Sequence, residues 1–307
     1  MTSSNETQKQ KFSVAITTTT YQTLIKNTLG DPERAKRFIA TITSAVAVNP
    51  ALQECETGSI LAGALLGESL NLSPSPQLGQ FYLVPFDVAV KGPDGKVIRN
   101  EKAEALKIKK AQFVLGYKGY VQLALRSGYY KHLNVIAVKE GEFVRFNPFS
   151  EELTCSWIEN DEQREAAPTI GYAAMFEYLN GYQKTIYWSK EKMLIHADKY
   201  SPAFSASAYE KLQKGEIPDK DMWKYSSFWY KDFDDMAKKT MLRQIISKWG
   251  VMSIELQTAF EKDSSTLEMD SSGNILTTED KPDLIQAGTP IIPEATDVIE
   301  KIDLSNV

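Results

Sequence analysis

The sequence predicts an α+β fold, an antiparallel sheet with helices on one face. Strand-like runs are concentrated in the middle of the 307-residue chain, helical periodicity lies towards both ends, and strong turn signals join neighbouring strands. A chain of this length forms one large domain or two small ones and is long enough to bury a sizeable core.

The charge is unevenly distributed along the chain. The net charge is −5, but residues 261–307 contain 11 acidic residues against 3 lysines, a net of −8. The rest of the chain therefore carries −5 + 8 = +3. We predict a disordered polar segment at 1–11, a single domain at 12–260 and an acidic flexible tail at 261–307.

Composition excludes several classes of protein. Two cysteines, Cys55 and Cys155, do not form a disulfide framework, and free thiols in a reducing cytoplasm are expected. With two histidines and no CxxC motif, a zinc site is not expected. No apolar segment suits a secretory signal or a membrane span, so no membrane partner is expected.

The N-terminal half opens with two helices. Asp31-Pro32 is a helix start and Asn49-Pro50 a helix end. A second helix runs from Thr57 to about Leu70 and contains Gly63 and Gly67. Glycines four residues apart allow a close approach by another segment, and tight core packing is the simplest reason for them.

Two strands and a helix follow. The aromatic and β-branched run Phe81–Val90 and the run Ala105–Leu115 flank the turn signal Pro93-Asp94-Gly95-Lys96, which predicts a hairpin. The segment YKGYVQLALRSG predicts a helix that ends at Gly128.

The remaining strands and the last helix complete the pattern. Asn180-Gly181 is the strongest hairpin signal in the chain. A final helix over about Phe228–Trp249 places apolar residues on one stripe. The predicted strands are Leu133–Val138, Glu142–Phe146, Leu153–Ile158, Thr169–Tyr178 and Tyr182–Trp188.

Three groups of basic residues are candidates for phosphate contact. Lys107, Lys109 and Lys110 lie along one predicted strand, and a bulge is expected past Lys110. The alternative explanation is that edge strands carry lysine to block aggregation. Lys118 and Arg126 lie about two turns apart on a helix, and a solvated helix face is the alternative.

The third group is on the last helix. Lys239 and Arg243 are four residues apart, a like-charged spacing that a bound phosphate would make favourable. Asp235 also pairs with Lys239 at this spacing, and Lys238 and Lys248 add positive charge.

Aromatic and acidic residues precede that group. Trp223, Tyr225, Phe228, Trp229 and Tyr230 offer base-stacking surfaces, although such clusters are more often core or subunit interface.

Three aspartates at the start of the same helix have two possible interpretations. Asp232, Asp234 and Asp235 suggest a magnesium-dependent nuclease, but acidic residues in a first turn more often complement the helix dipole. No GxxxxGK[ST] motif is present, which argues against an ATP-driven recombinase.

Three blocks, taken together, resemble the RecT family of phage single-strand annealing recombinases. They are the small-residue helix with LNLSPSPQLGQFYLVPF, then GYKGYVQLALRSG, then FWYKDFDDMAKKTMLRQIISKWG. The resemblance covers most of residues 12–260. It implies a curved antiparallel sheet with flanking helices and a narrow basic groove, like the annealing fold of lambda Red beta, assembled into rings or helical filaments.

The resemblance also implies a function. Such proteins bind single-stranded DNA without ATP or covalent catalysis and anneal it to a complementary strand, with no required cofactor and magnesium at most as a modulator. Implied partners are single-stranded DNA, the annealed duplex intermediate, further copies of the chain, a phage 5′→3′ exonuclease and a host single-strand-binding protein, in the cytoplasm of a bacterial host. The alternatives are a nuclease built on the Asp232 region and a passive single-strand-binding protein.

Carried over by motif position, the resemblance assigns DNA-binding residues in two tiers. The first comprises Lys118, Arg126, Lys238, Lys239 and Arg243. The second comprises Lys107, Lys109, Lys110 and Tyr117, with Gln80 and Tyr82 lining or wedging the DNA.

Overall fold

The computed structural model describes residues 12–92, 95–100, 102–269 and 275–277, and the fold is α+β. The helices are α1 (Phe12–Ala15), α2 (Thr19–Leu29), α3 (Pro32–Ala47), α4 (Thr57–Ser69), α5 (Tyr117–Arg126), α6 (Asp161–Ala166), α7 (Lys190–Tyr200), α8 (Ala206–Gln213), α9 (Phe228–Lys231), α10 (Phe233–Trp249) and α11 (Ile254–Lys262). Short 3₁₀ helices cover Pro50–Glu54 and Asp219–Tyr225. The strands are β1 (Phe81–Ala89), β2 (Lys107–Leu115), β3 (Tyr130–Lys139), β4 (Phe143–Asn147), β5 (Glu152–Cys155), β6 (Thr169–Tyr178), β7 (Gln183–Ser189), β8 (Ser265–Met269) and β9 (Ile275–Thr277).

The strands form small antiparallel sheets rather than the single curved sheet predicted. One has the order β1-β2-β8-β9, a second the order β3-β6-β7, and β4 and β5 form a separate ribbon. All the pairings are antiparallel. The predicted class is therefore right. The sheet is divided because β2 pairs with β1 and β8, whereas β3, which follows α5, pairs with β6.

The predicted N-terminal helix boundaries are confirmed. Asp31 accepts a hydrogen bond from the Glu33 amide at 2.9 Å, and Pro32 occupies the first turn of α3. Phe38, Ile42 and Val46 form its buried stripe, spaced four residues apart.

The β1–β2 hairpin packs directly on α4. Its register runs unbroken from Phe81 opposite Leu115 to Ala89 opposite Lys107, so the bulge predicted near Lys110 is wrong. A Cβ added to Gly63 would lie 2.7 Å from a Leu83 methyl, and one added to Gly67 would lie 2.3 Å from the Phe81 ring. The two glycines therefore serve close packing of the helix against the strand.

The long helix predicted from Phe228 is interrupted at Asp232. This residue ends α9, and its carboxylate accepts a hydrogen bond from the Asp235 amide at 3.3 Å, capping α10. Beyond the break most of the predicted stripe holds, because Phe233, Ala237, Met241 and Ile245 are buried. Its last predicted member, Trp249, is 38% exposed. Helix α10 packs against β3 and β6 of the second sheet.

The predicted start of the tail at residue 261 is too early. Helix α11 continues to Lys262, Asp263 is only 3% exposed, and β8 pairs with β2. The count of acidic residues misassigned this segment because two of them, Asp263 and Glu268, pair with cations of the folded domain. Residues 1–11 and 278–307 lie outside the described residues.

Within the described ranges, no helix combines the length and apolar character needed to cross a lipid bilayer.

The glycine contacts give a test of the α4–β1 packing. Gly67→Ala forces its methyl group into the Phe81 ring, and we expect it to lower the free energy of unfolding by about 1–3 kcal/mol. Gly58→Ala is the matched control on the same helix, because nothing lies within 4 Å of its added Cβ, and it should be neutral or stabilise by about 0.5–1 kcal/mol. Urea unfolding measures both, and equal stabilities for the two variants would contradict the packing.

Candidate nucleic-acid interface

A groove of about 1460 Å³ lies between the outer face of the β1–β2 hairpin and α10. It exceeds the roughly 300–1,000 Å³ of typical small-molecule pockets and is partly open to solvent, which suits a ligand larger than a small molecule. The start of α5, the end of α7, α9 and α11 complete its lining.

The hairpin supplies an apolar wall. Phe81, Leu83 and Phe113 are buried towards α4, so the alternate residues Tyr82 and Val114 face the groove. Val84, Phe86 and Gln112 extend this wall. Phe228 of α9 joins it, with its ring centroid 6.3 Å from that of Tyr82 and 58% of its surface exposed.

Two glycines explain how Lys118 reaches the groove. A Cβ on Gly116 would lie 2.1 Å from the Gly79 carbonyl oxygen, and one on Gly119 would lie 2.1 Å from that of Gln80. The Gly116 amide donates to the Gln80 carbonyl at 2.8 Å. The first turn of α5 therefore sits directly against the turn before β1, and exposed Lys118 stands at the groove edge.

Helix α10 supplies the second wall, which carries most of the groove's cations. Lys238, Lys239, Arg243 and Lys248 all line the groove from this helix. Together with Lys118 they make five cationic side chains, against the four carboxylates of Asp232, Asp235, Glu261 and Asp263. The groove is therefore mildly rather than strongly basic.

Asp263 neutralises the two most buried of these cations. Its side chain is fully buried and accepts hydrogen bonds from the Leu115 amide at 2.8 Å and the Tyr120 hydroxyl at 2.6 Å. Arg243 donates to the same carboxylate, and the Lys239 ammonium lies 4.0 Å away. We call Asp263, Tyr120, Lys239 and Arg243 the Asp263 cluster.

Burial and charge act in opposite directions on the pKa values of this cluster. Desolvation would raise the pKa of Asp263, but Lys239, Arg243 and the two hydrogen bonds bring it below its ordinary value. Desolvation lowers the pKa of Lys239, which the attraction of Asp263 only partly offsets. The carboxylate is therefore held in its charged form beside the groove.

The other cations differ in how far they are neutralised. The Lys238 ammonium lies 2.6 Å from the Asp235 carboxylate, a partly exposed pair that contributes little to stability. Lys118 and Lys248 have no carboxylate partner within the described ranges. These two retain their full charge for an anionic ligand.

His196 shows that the α7–α10 end of the groove is electropositive. Burial first, and then Lys248, Arg243, Lys192 and Lys199, lower the pKa of this histidine to about 4. Lys192 and Lys199 follow the same face of α7 at i−4 and i+3 from His196. Lys192, His196 and Lys199 were not among the predicted DNA-binding residues, although their spacing in the sequence places them on one helical stripe.

Six of the eleven predicted DNA-binding residues line this one groove. They are Tyr82, Tyr117, Lys118, Lys238, Lys239 and Arg243. They come from three separate segments, so the fold brings together residues that were assigned from separate blocks.

The other five lie elsewhere. Arg126 does not share an outward face with Lys118; its guanidinium donates to the carbonyls of Leu70 and Asn71, each at 2.9 Å, after the end of α4. The Gln80 side-chain oxygen accepts from the Ser73 amide at 2.7 Å and so holds the proline-containing turn.

The three β2 lysines do not form one exposed strip. Because the register of β2 is unbroken from Lys107 through Lys110, Lys110 points to the opposite face from Lys107 and Lys109, where it is 7% exposed and paired with Glu268 of β8. Lys109 pairs with Glu54, and Lys107 is exposed at the far end of the strand.

The three aspartates at the start of α10 diverge. Asp232 caps the helix, Asp235 pairs with Lys238, and Asp234 accepts hydrogen bonds from Thr169 at 2.7 Å and Tyr172 at 2.6 Å. Metal-dependent nucleases need carboxylates that converge on shared ions, and these carboxylates do not converge.

The aromatic cluster divides between core and surface. Trp229 and Tyr230 pack on Phe204, with centroids 5.8 and 4.9 Å apart. Phe228 and Trp223 remain 58% and 73% exposed. Of this cluster, Phe228 and Trp229 line the groove, and only Phe228 offers it a largely exposed ring.

A family model gives the evolutionary relationship. The model of the RecT family matches residues 36–275, most of the chain. The chain belongs to the RecT family. Membership links it to strand annealing in DNA recombination, and the matched region includes both walls of the groove.

Two relatives are similar to most of the chain. YqaK of Bacillus subtilis (strain 168) is 35% identical over 236 residues, which cover 77% of this chain and 66% of YqaK. Protein RecT of Escherichia coli (strain K12) is 28% identical over 230 residues, 75% of this chain and 71% of RecT. The chain thus spans about two thirds of the length of these two relatives.

The electrostatics around His196 are testable without any ligand. Its imidazole should titrate near pH 4 in NMR spectra of the free protein, because burial and four cations disfavour the imidazolium. Lys248→Gln removes one of the cations and should raise this pKa, whereas Lys26→Gln on α2, away from the groove, should not. An unchanged value in Lys248→Gln would contradict the proposed source of the shift.

Proposed function

We propose that this RecT-family protein binds single-stranded DNA in the groove between the β1–β2 hairpin and α10, and anneals it to a complementary strand without ATP. The observation that carries the proposal is that the family match includes the segments forming both walls of this groove. The fold also provides the chemistry that annealing needs, a cationic wall opposite an apolar one.

The cationic wall would bind phosphates. Lys118 and Lys248 have no carboxylate partner among the described residues, and the Asp235 partner of Lys238 is 66% exposed, so a phosphate can replace it at little cost. Backbone contacts of this kind release counterions and do not depend on base sequence. They reduce the repulsion that opposes the approach of a second DNA strand.

The apolar wall would contact bases. Tyr82, Phe228 and Val114 present rings and a branched side chain that stack or pack against any base. Stacking contacts are made to the faces of bases, so recognition of sequence is left to the incoming complementary strand. A protein of this kind accelerates pairing by positioning and needs no covalent step.

The remaining features of the proposal follow from the family resemblance. The protein would act in the cytoplasm of a bacterial host. It would form rings or helical filaments, because a continuous DNA path requires the grooves of neighbouring copies to be joined. Its partners would be a phage 5′→3′ exonuclease that supplies single strands and a host single-strand-binding protein. No cofactor would be required, and magnesium would at most modulate binding.

A passive single-strand-binding protein remains the second candidate, since the same groove would coat DNA without promoting pairing. Fluorescence quenching between two complementary labelled oligonucleotides, without ATP, separates these functions. We expect faster pairing and intact strands. Retarded pairing with binding retained would indicate a passive protein, and shortened strands in magnesium would revive the nuclease alternative.

Lys118 of α5 and Lys238 of α10, which line the groove from two different elements, provide a residue-level test. Lys118→Gln and Lys238→Gln should each weaken binding of oligo(dT) about fivefold at about 0.1 M salt, since each phosphate contact contributes roughly 0.7 to the slope of log K against log salt. The double variant should lower that slope by about 1.4. Lys26→Gln/Lys36→Gln, on α2 and α3, removes the same charge outside the groove and should leave the slope unchanged.

Lys239 and Arg243 are less suitable for that test. Replacing both leaves Asp263 buried without a cationic partner, so the variant would lose stability together with any DNA contact. Equal slopes for the Lys118/Lys238 and Lys26/Lys36 double variants would place the DNA elsewhere.

A further inference from the structure

Asp263 is a buried carboxylate beside the groove, in contact with two of the groove's cations. Its side chain has no exposed surface, yet its partners Arg243 and Lys239 retain 24% and 14% exposure and line the groove. The two cations are thus in contact with the protein's own carboxylate on one side and with the groove on the other.

We propose that Asp263 is an internal counter-anion that shares Lys239 and Arg243 with the DNA backbone and thereby limits how tightly this groove holds DNA. The inference rests on the proposed function, because it takes the external anion to be a DNA phosphate. It assigns to Asp263 a role in setting affinity, although the residue need not touch DNA.

The geometry of the Arg243 guanidinium supports this sharing. One of its terminal nitrogens, Nη1, donates to the Asp263 carboxylate and lies 3.5 Å from the Tyr120 hydroxyl. A guanidinium has five N–H donors in a planar fork and binds a carboxylate and a phosphate by different edges. The other N–H donors of Arg243 have no partner within the described part of the chain, so they can bind a second oxyanion.

Charge balance sets the direction of the effect. Lys239, Arg243 and Asp263 together carry a single positive charge. The electrostatic attraction between this cluster and a phosphate is therefore weaker than the attraction that Lys239 and Arg243 would exert without the carboxylate. Without the carboxylate, two like charges would face each other in a poorly solvated site. A phosphate would then be their only counter-charge, which strengthens its binding.

Asp263 also connects DNA binding to the attachment of strand β8. It lies between α11 and β8, and the adjacent Ser265 and Thr266 pair with Phe113 and Gln112 of β2. A bound phosphate and the Asp263 carboxylate repel each other, and coupling between two bound partners is reciprocal, so the phosphate weakens the hold on Asp263 by as much as Asp263 weakens phosphate binding. DNA binding should therefore loosen the attachment of β8.

The test compares Asp263→Asn with wild type and with Asp161→Asn, a variant that removes one exposed negative charge on α6, remote from the groove. Asparagine preserves the size of the side chain and an acceptor for the Leu115 amide. We expect Asp263→Asn to melt at a lower temperature without DNA. It should bind oligo(dT) about fivefold more tightly at about 0.1 M salt, with a salt slope steeper by about 0.7. Asp161→Asn should match wild type in all three measurements.

Each outcome is decisive. Unchanged or weaker binding by Asp263→Asn, with wild type binding normally, would overturn the inference and leave the proposed function intact. Failure of wild type itself to bind oligo(dT) would remove the proposed function. If Asp263→Asn is unfolded on its own, refolding it with oligo(dT) should restore its circular dichroism spectrum, and failure to do so would also overturn the inference.

Discussion

A single buried carboxylate, that of Asp263, connects the hairpin wall, the α10 wall and strand β8. It accepts hydrogen bonds from the end of β2 and from α5, and it holds two cations of α10. Removing one member of a buried ion pair typically costs about 3–5 kcal/mol, a large part of the total stability of a domain. The relative positions of the groove walls thus depend on one ionised group.

Close packing at glycines provides the second constraint on the groove. Gly63 and Gly67 bring α4 against one face of the hairpin, and Gly116 and Gly119 bring α5 against the turn that precedes it. The hairpin is therefore held on its inner face and at its base, so its outer face keeps a fixed position opposite α10. A rigid wall is what a stacking surface requires, because a mobile ring loses conformational entropy when a base packs on it.

Local signals in the sequence predicted most elements, and long-range pairing accounts for most of the differences. Asp31-Pro32, Asn180-Gly181 and Gly128 mark boundaries that the structure shares, because caps and tight turns are decided by a few neighbouring residues. The pairing of β8 with β2 joins segments about 150 residues apart, and no local pattern contains that information. The same limit explains Lys110, whose partner Glu268 lies on β8, and Arg126, whose partners follow α4. Charge counting grouped Asp263 with a tail because it cannot distinguish a solvated carboxylate from a buried one.

The distance in sequence between β2 and β8 also sets an order of events during synthesis. Chains emerge from the ribosome from the N-terminus, and domains begin to fold as they appear. The hairpin, α5 and α10 are all complete before Asp263 and β8 have been made. For that interval, Lys239 and Arg243 face each other without their internal counter-charge, and the outer edge of β2 is unpaired. The groove of a nascent chain is therefore at its most attractive to polyanions just before β8 pairs with β2.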